Sequence, residues 1–270
     1  YIDLQKEQTN SIGFAPTMGA LHAGHISLYE KANKDNDVVI SSIFVNPTQF
    51  NNPDDLEKYP RTVENDIEKL KNSKLVDAVY IPKVKDIYPN GLERKHYDFG
   101  GIENEMEGAA RPGHFDGVGT IVKRLFEIVQ PNKAYFGEKD FQQLQIVKKL
   151  VSKHNIPVEV IGCPIHREAN GLAMSSRNER LSESAREKAA VIYQILKKAK
   201  DFFQSHSAEE TTTFVENEFE KHPEFQLEYF EIADEATLLP VSEKESNKKY
   251  RGFIAIFIEN IRLIDNISLN

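Results

Sequence analysis

The feature that most constrains the fold of this chain is an alternation of apolar runs and helix-like patterns up to about residue 165. Apolar runs typical of parallel strands covered on both faces lie at residues 12–15, 38–45, 77–82, 133–137 and 158–161. Patterns with helical spacing follow at residues 26–32, 63–72, 118–129 and 140–154. The alternation predicts an α/β fold with a doubly wound parallel, Rossmann-like sheet, in which ligands bind at the carboxyl ends of the strands.

The pattern changes after about residue 170. A long amphipathic helix capped by Ser182 is predicted over residues 182–205, and a second helix over residues 208–222. Strand-like segments follow at residues 227–233 and 253–258, and residues 262–267 close the chain. We therefore expect two domains, residues 1–165 and residues 166–270, of which the second is a smaller α+β domain.

Composition narrows the class of protein. Hydrophobic residues make up 40% and charged residues 28%, which is the profile of a globular protein. The net charge of −8 argues against general nucleic-acid binding, and no apolar run approaches the ~20 residues of a membrane span. The single cysteine, Cys163, is expected to be a small buried hydrophobe, and its lack of a partner indicates a reducing, cytoplasmic location. There is no signal-peptide pattern, and the start at Tyr1 suggests that a few residues precede it.

The turn at residues 16–25 is the first candidate site, because it joins a predicted strand to a predicted helix start. Backbone N–H groups at a helix N-terminus lack intrahelical partners, and the helix dipole favours an anion there. His22 and His25 can donate hydrogen bonds to phosphoryl oxygens at this point. Two alternatives stay open: half of a metal site, for which no third ligand lies at a recognisable spacing, and ordinary surface histidines.

Two more clusters follow predicted strands. Asn46 and Gln49 supply neutral hydrogen-bonding groups that suit a small substrate with hydroxyls and a carboxylate, although a plain Asn-Pro turn would explain them too. Lys139 places a positive charge beside a helix start and suits a phosphate, and Asp140 is expected to bind ribose hydroxyls or to cap the helix. Gln143 lies one helical turn beyond Lys139 and is expected to face the same pocket.

The fourth cluster is the loop around Ser175, Ser176 and Arg177, between the two predicted domains. Two hydroxyls beside a guanidinium make a donor-rich loop that suits the β- and γ-phosphates of a nucleotide. A capped helix start is the structural alternative for the same residues.

Together, the four clusters resemble the pantoate–β-alanine ligase family, which belongs to the nucleotidyltransferases with a HIGH-type signature and a KMSKS-like loop. His22-Ala23-Gly24-His25 resembles the first signature, and Met174-Ser175-Ser176-Arg177 resembles the second. The stretches at residues 59–62 and 107–118 also match, and the resemblance is strongest over residues 12–181. It implies that pantoate and MgATP form pantoyl adenylate and pyrophosphate, and that β-alanine then gives pantothenate and AMP. A homodimer formed through the first domain is implied as well.

Site residues are carried over by position from this resemblance. It implies catalytic roles for His25, His22, Lys139 and Arg177, with His25 as the family's proposed proton donor. The implied ATP site comprises Met18, Gly19, Ala20, Leu21, His22, Ala23, Gly24, His25, Gly137, Glu138, Lys139, Asp140, His166, Met174, Ser175, Ser176 and Arg177. Pantoate is placed at Gln49 and Gln143, with Asn46 and Tyr59 as neighbours.

Two points depart from a simple carry-over. His166 stands where the family has a small aliphatic residue, so the wall of the adenine pocket changes while a backbone contact is expected to survive. The magnesium ligands stay unassigned, with Asp66 as a candidate, because Mg²⁺ often sits mainly on substrate phosphates and water.

Two rival functions remain. A related enzyme that transfers a nucleotide to a phosphate would need a basic pocket where this chain has the neutral Gln49 and Gln143. A non-catalytic relative would be expected to lack His25, Lys139 or Arg177, and all three are present.

Overall fold

A five-stranded parallel sheet forms the centre of the first of two units, Tyr1–Ile165, in the computed structural model, which describes residues 1–241 and 243–270. Its strands are β1 (Ile12–Thr17), β2 (Val38–Ile43), β3 (Ala78–Tyr80), β4 (Lys133–Gly137) and β5 (Glu159–Cys163). They lie in the order β3-β2-β1-β4-β5, and every neighbouring pair is parallel. The predicted doubly wound sheet is confirmed, and the strand order reverses at the β1–β4 junction, where such sheets bind ligands.

Helices connect and cover these strands. They are α1 (Ile2–Glu7), α2 (Ala23–Asp35), α3 (Pro53–Glu57), α4 (Val63–Ser73), α5 (Val84–Ile87), α6 (Glu107–Ala110), α7 (His114–Val129) and α8 (Phe141–Lys153). The prediction of Asp140 as a helix cap is wrong. Asp140 occupies the N-cap position of α8 without a side-chain cap bond, and its carboxylate instead lies 3.5 Å from the Lys139 ammonium.

The start of α2 is held at the sheet by buried side chains. Leu21 and Tyr29 are fully buried, and they pack in one apolar cluster with Ala15 of β1 and Val39 of β2. The same cluster contains Cys163, which is 3% exposed, so its predicted role as a small buried hydrophobe is confirmed. Burial raises the pKa of the Cys163 thiol to about 11, which keeps it protonated and unreactive.

The second unit, His166–Asn270, contains an antiparallel sheet in the order β6-β7-β8. Its elements are α9 (Glu183–Lys188), α10 (Ala190–Phe203), α11 (Ala208–Glu220), β6 (Phe225–Asp234), β7 (Tyr250–Ile258) and β8 (Ile261–Ser268). This agrees with the predicted α+β character. Within the described ranges, every helix is too short or too polar to cross a bilayer.

The prediction of a single long helix over residues 182–205 is wrong in one respect, because the helix is interrupted at Ala189. There ψ is −14° rather than the roughly −42° of a regular α-helix, and α9 ends while α10 begins. Ala185, Ala189 and Ile192 are all buried in the same core, so the interruption leaves both segments packed on it. Ser182 does cap α9, because its hydroxyl accepts from the backbone N–H of Ala185.

Candidate active site

The turn after β1 is built on two left-handed residues, Gly19 (φ 82°) and Ala20 (φ 50°). The φ of Gly19 favours glycine, and a Cβ there would also be tightly placed, at 3.0 Å from Oδ2 of Asp66 and 3.1 Å from Cγ2 of Ile43. The chain reverses here and enters α2, with His22 as the N-cap residue in an extended conformation. The sequence therefore brings both histidines to the first turn of α2, as predicted.

His22 and His25 cap the helix reciprocally through their Nδ1 atoms. His22 Nδ1 accepts from the Gly24 N–H at 3.1 Å, and His25 Nδ1 accepts from the His22 N–H at 3.2 Å. The two ring centroids are 4.1 Å apart. Because each Nδ1 is an acceptor, each neutral ring must carry its proton on Nε2. Both rings therefore offer an Nε2–H donor.

Both rings are also kept uncharged. Burial, then His25, then the positive charges of Lys139 and Lys69 lower the pKa of His22 to about 3. Burial followed by the same two lysines lowers the pKa of His25 to about 4. At neutral pH the pair thus consists of neutral hydrogen-bond donors rather than imidazolium acids. The half metal site considered from the sequence gains no support, since the described residues include no group of three or more His, Cys, Asp or Glu side chains placed to hold a metal ion.

The cluster after β2 lies beside this turn. Asn46 is 1% exposed, and its Oδ1 accepts from the Tyr88 hydroxyl at 2.6 Å. Its Nδ2 donates to Gln49 Oε1 and to the Gly117 carbonyl, both at 3.2 Å. Gln49 Nε2 in turn donates to Met18 Sδ at 3.0 Å. Met18 of the predicted ATP site and Gln49 of the predicted pantoate site are therefore in direct contact. Asn46 orients the side chain of Gln49 through its hydrogen bond to Oε1.

Residues in the matching stretch 107–118 support the same cluster, although no individual role was predicted for them. His114 Nδ1 donates to the Gln49 carbonyl at 2.8 Å. A Cβ on Gly117 would lie 2.4 Å from the Thr48 carbonyl oxygen, so α7 can approach the loop only with glycine there. The place of His114 and Gly117 in a family-like motif was the signal that pointed to them.

Tyr59, predicted as a neighbour of pantoate, is 6% exposed and packs edge-on against Phe50, with 5.7 Å between the ring centroids.

The third cluster follows β4. Lys139 and Asp140 lie in a short 3-10 helix, Glu138–Asp140, directly before α8. Gln143 stands in the first turn of α8, while the adjacent Gln142 is buried and donates to the carbonyls of Ile102 and Glu105 at 2.8 Å each. Since β2, β1 and β4 are neighbours in a parallel sheet, all three clusters share one edge of it. A phosphate-type turn, a neutral amide pocket and a lysine thus lie side by side.

The fourth cluster belongs to the second unit and is rigidly supported within it. Ser175 caps a short 3-10 helix, Ser176–Arg180, by accepting from the Arg177 N–H at 3.2 Å, so the capped start considered from the sequence is confirmed. Arg167 binds Asp265 through two hydrogen bonds of 2.6 and 3.0 Å. Exposed His166 begins this segment, and its carbonyl accepts from the Met174 N–H at 3.0 Å.

Comparison with known proteins gives one consistent result. Residues 1–268 match the family profile described as pantoate-beta-alanine ligase. The pantothenate synthetase of Flavobacterium psychrophilum is 60% identical over 268 residues, which cover 98% of this chain and 94% of that protein. The enzyme of the same name from Christiangramia forsetii is 56% identical over 265 residues, with the same two shares.

Solved structures agree with the sequence relatives. The pantothenate synthetase of Thermus thermophilus superposes with a TM-score of 0.89 at 43% identity, covering 96% of this chain and 93% of that one. The pantoate-beta-alanine ligase of Francisella tularensis, complexed with beta-gamma ATP and beta-alanine, gives a TM-score of 0.81 at 41% identity and covers 99% and 94%. The likeness therefore extends over both units.

Proposed function

This chain belongs to the pantoate–β-alanine ligase family, and on that premise we propose how its residues carry out the ATP-dependent formation of pantothenate. The pantoate carboxylate attacks the α-phosphorus of ATP, and pyrophosphate leaves. The unprotonated amine of β-alanine then attacks the acyl carbon of pantoyl adenylate, AMP leaves with the electron pair of the C–O bond, and the nitrogen releases a proton to water. A carboxylate is a poor acyl donor, and the adenylate supplies the leaving group it lacks.

The neutral histidine pair is the observation that carries this proposal. The Nε2–H groups of His22 and His25 and the Lys139 ammonium make a set of donors for the phosphates of ATP, because the cap already occupies the backbone N–H groups of His22 and Gly24. As negative charge moves onto the phosphoryl oxygens, these donors strengthen without transferring a proton. The chemistry then needs alignment and charge stabilisation, not a protein nucleophile.

The amide pocket is proposed to hold pantoate. Gln49 is fixed by Asn46 and Met18, and Gln143 stands on α8 beside the lysine turn. Neutral amides can orient hydroxyls and a carboxylate without the strong ion pair that would lower the nucleophilicity of the carboxylate. This favours pantoate over a phosphate-bearing acceptor, which would need cationic groups.

Four further assignments are proposals that the family resemblance supports. Ser175, Ser176 and Arg177 of the second unit bind the outer phosphates, and that unit acts as a lid on a nucleotide- and pantoate-binding first unit. Magnesium enters with ATP on phosphate oxygens and water, since both carboxylate oxygens of Asp66 are bonded to backbone amides. The chain forms a homodimer, which light scattering coupled to size-exclusion chromatography tests.

An ATP–pyrophosphate exchange assay with a panel of small hydroxy acids tests the proposed route. Exchange is expected with pantoate and not with acids lacking its hydroxyls. Because exchange needs only the first half-reaction, it proceeds without β-alanine. Pantothenate formation without any pantoate-dependent exchange would exclude a free, reversible adenylate, and exchange driven by a phosphate acceptor would favour the rival transferase.

A further inference from the structure

One buried carboxylate is aimed at the turn that carries the histidines. Asp66 of α4 is 0% exposed, and its Oδ2 accepts from the Ala20 N–H at 2.9 Å while its Oδ1 accepts from the Leu21 N–H at 2.7 Å. The Thr62 hydroxyl donates to Oδ2 at 3.2 Å. Hydrogen bonds accepted by a buried carboxylate are charge-assisted and are among the stronger hydrogen bonds in proteins. The Asp66 carboxylate therefore fixes the two successive backbone amides of Ala20 and Leu21.

Lys69 acts on the same residues from the next turn of α4. Its Nζ donates to the Leu21 carbonyl at 2.6 Å. Leu21 is thus held at its N–H by Asp66 and at its C=O by Lys69, while its own side chain is buried. The residue that precedes His22 is therefore fixed on both sides.

The turn needs this support because its backbone is strained. Ala20 has φ 50°, and an alanine in the left-handed region is strained because its Cβ comes too close to the following carbonyl oxygen. Asp66 binds the N–H of Ala20 itself, so it stabilises the strained residue directly. If the turn relaxed, His22 would leave the extended N-cap conformation on which both Nδ1 bonds depend.

We propose that Asp66 and Lys69 are positioning residues for adenylation, which hold the turn so that His22 and His25 both present Nε2–H to the phosphates of ATP. This rests on the proposed roles of the two histidines. Asp66 and Lys69 grip the peptide units directly before His22 from one face of α4, and neither needs to touch ATP.

The first test replaces Asp66 with Asn and reads the ring tautomers directly. The asparagine side chain would be nearly isosteric, but its NH₂ group would face one of the two amides, so one of the two bonds is lost. Long-range ¹⁵N–¹H NMR of ¹⁵N-histidine-labelled protein should show Nε2–H tautomers for His22 and His25 in the original chain. In Asp66→Asn we expect mixed tautomers, and a kcat for ATP–pyrophosphate exchange lower by roughly 10- to 100-fold, with a smaller change in the KM for ATP.

A matched control separates positioning from stability. Asp234 of the second unit is 5% exposed and accepts from the N–H groups of Ala236 and Thr237 at 2.9 Å each. Asp234→Asn should lower stability while leaving tautomers and kcat unchanged. If Asp66→Asn loses stability to the same extent yet keeps both tautomers and the full kcat, the positioning role is refuted.

Lys69 provides a second route should Asp66→Asn fail to fold. Lys69→Met should lower kcat and give mixed tautomers of His22 and His25. Lys69→Arg should keep kcat and the tautomers close to those of the original chain. The control Lys71→Met, on the same helix, should change neither kcat nor the tautomers. Unchanged tautomers in Lys69→Met would overturn the role of Lys69. The tautomer measurement does not depend on activity, so the two proposals can fail separately. If the original chain showed no exchange activity, the proposed function would be refuted. Disturbed tautomers in the variants would still support the positioning of the rings.

Discussion

Substitutions of His25 give the sharpest test of the mechanism, because this ring does two separable things. Its Nδ1 accepts from the His22 N–H at 3.2 Å and completes the helix cap. Its Nε2–H is the proposed donor to ATP. Asparagine places an oxygen near the position of Nδ1 and nothing at Nε2, whereas glutamine places an amide nitrogen near Nε2 and leaves the Nδ1 position empty.

The magnitudes of the two losses follow from their kinds. Removing one donor to a developing oxyanion costs about 2.7–4 kcal/mol in the transition state, or roughly 10²–10³ in kcat. Losing a cap acceptor costs about 0.5–2 kcal/mol of unfolding free energy. His25→Asn should therefore keep most of the stability and lose most of the rate. His25→Gln should show the opposite, and His25→Ala should lose both.

Two assays read the outcomes independently: pantoate-dependent ATP–pyrophosphate exchange at saturating ATP, and urea unfolding of the free enzyme. A His25→Asn variant that exchanges as fast as the original chain would remove Nε2–H from the mechanism. If His25→Gln were as slow as His25→Ala, a neutral N–H at that position would not be sufficient, and the donor role would fail.

Three further predictions use the same protein. The pKa values of His22 and His25 in the folded protein, about 3 and about 4, lie below the unfolded value of 6.5. The unfolded state therefore binds more protons below pH 6.5, and the free energy of unfolding falls with pH by up to about 1.4 kcal/mol per pH unit for each ring. Urea unfolding between pH 7 and pH 5 measures this slope. Gln143→Ala should raise the KM for pantoate more than the KM for ATP in steady-state assays. Asn46→Ala should do the same through a misplaced Gln49, with a loss of stability of about 1–3 kcal/mol from the buried groups left unpaired.

The parallel sheet could be predicted because strands covered on both faces appear as continuous apolar runs, and the run at 133–137 coincides with β4. Strand ends were less predictable: the run at 158–161 became β5, Glu159–Cys163, since the sequence carries no sharp signal where pairing stops. The interruption at Ala189 could not be predicted either, because alanine favours helix and no Gly or Pro marks the position.

For the site, the sequence predicted that the first three clusters lie at one edge of the sheet, but not how their side chains are held. The motif around His22 and His25 indicated a helix start, yet the reciprocal cap that selects their tautomer depends on ring orientation. Asp66 was considered for magnesium because a carboxylate near a phosphate site suggests it. Its bonds to Ala20 and Leu21 depend on the packing of α4 against a distant turn, and local sequence carries no trace of that contact.

The depressed histidine pKa values also make sense of the lysines around them. A phosphate placed within hydrogen-bonding distance raises the pKa of an imidazole by about 1–3 units. From the ordinary value of 6.5, such a rise would make both rings cationic at neutral pH, and a protonated Nδ1 could no longer accept the backbone N–H groups of His22 and Gly24 that form the cap. Starting from about 3 and about 4, the pKa values of the rings stay at or below about 7 even after the largest such rise, so the neutral form is retained far better than it would be from 6.5. Lys139 and Lys69 thus help to keep the adjacent imidazoles neutral, which is the protonation state in which Nδ1 accepts within the cap and Nε2–H is left to donate to the phosphates.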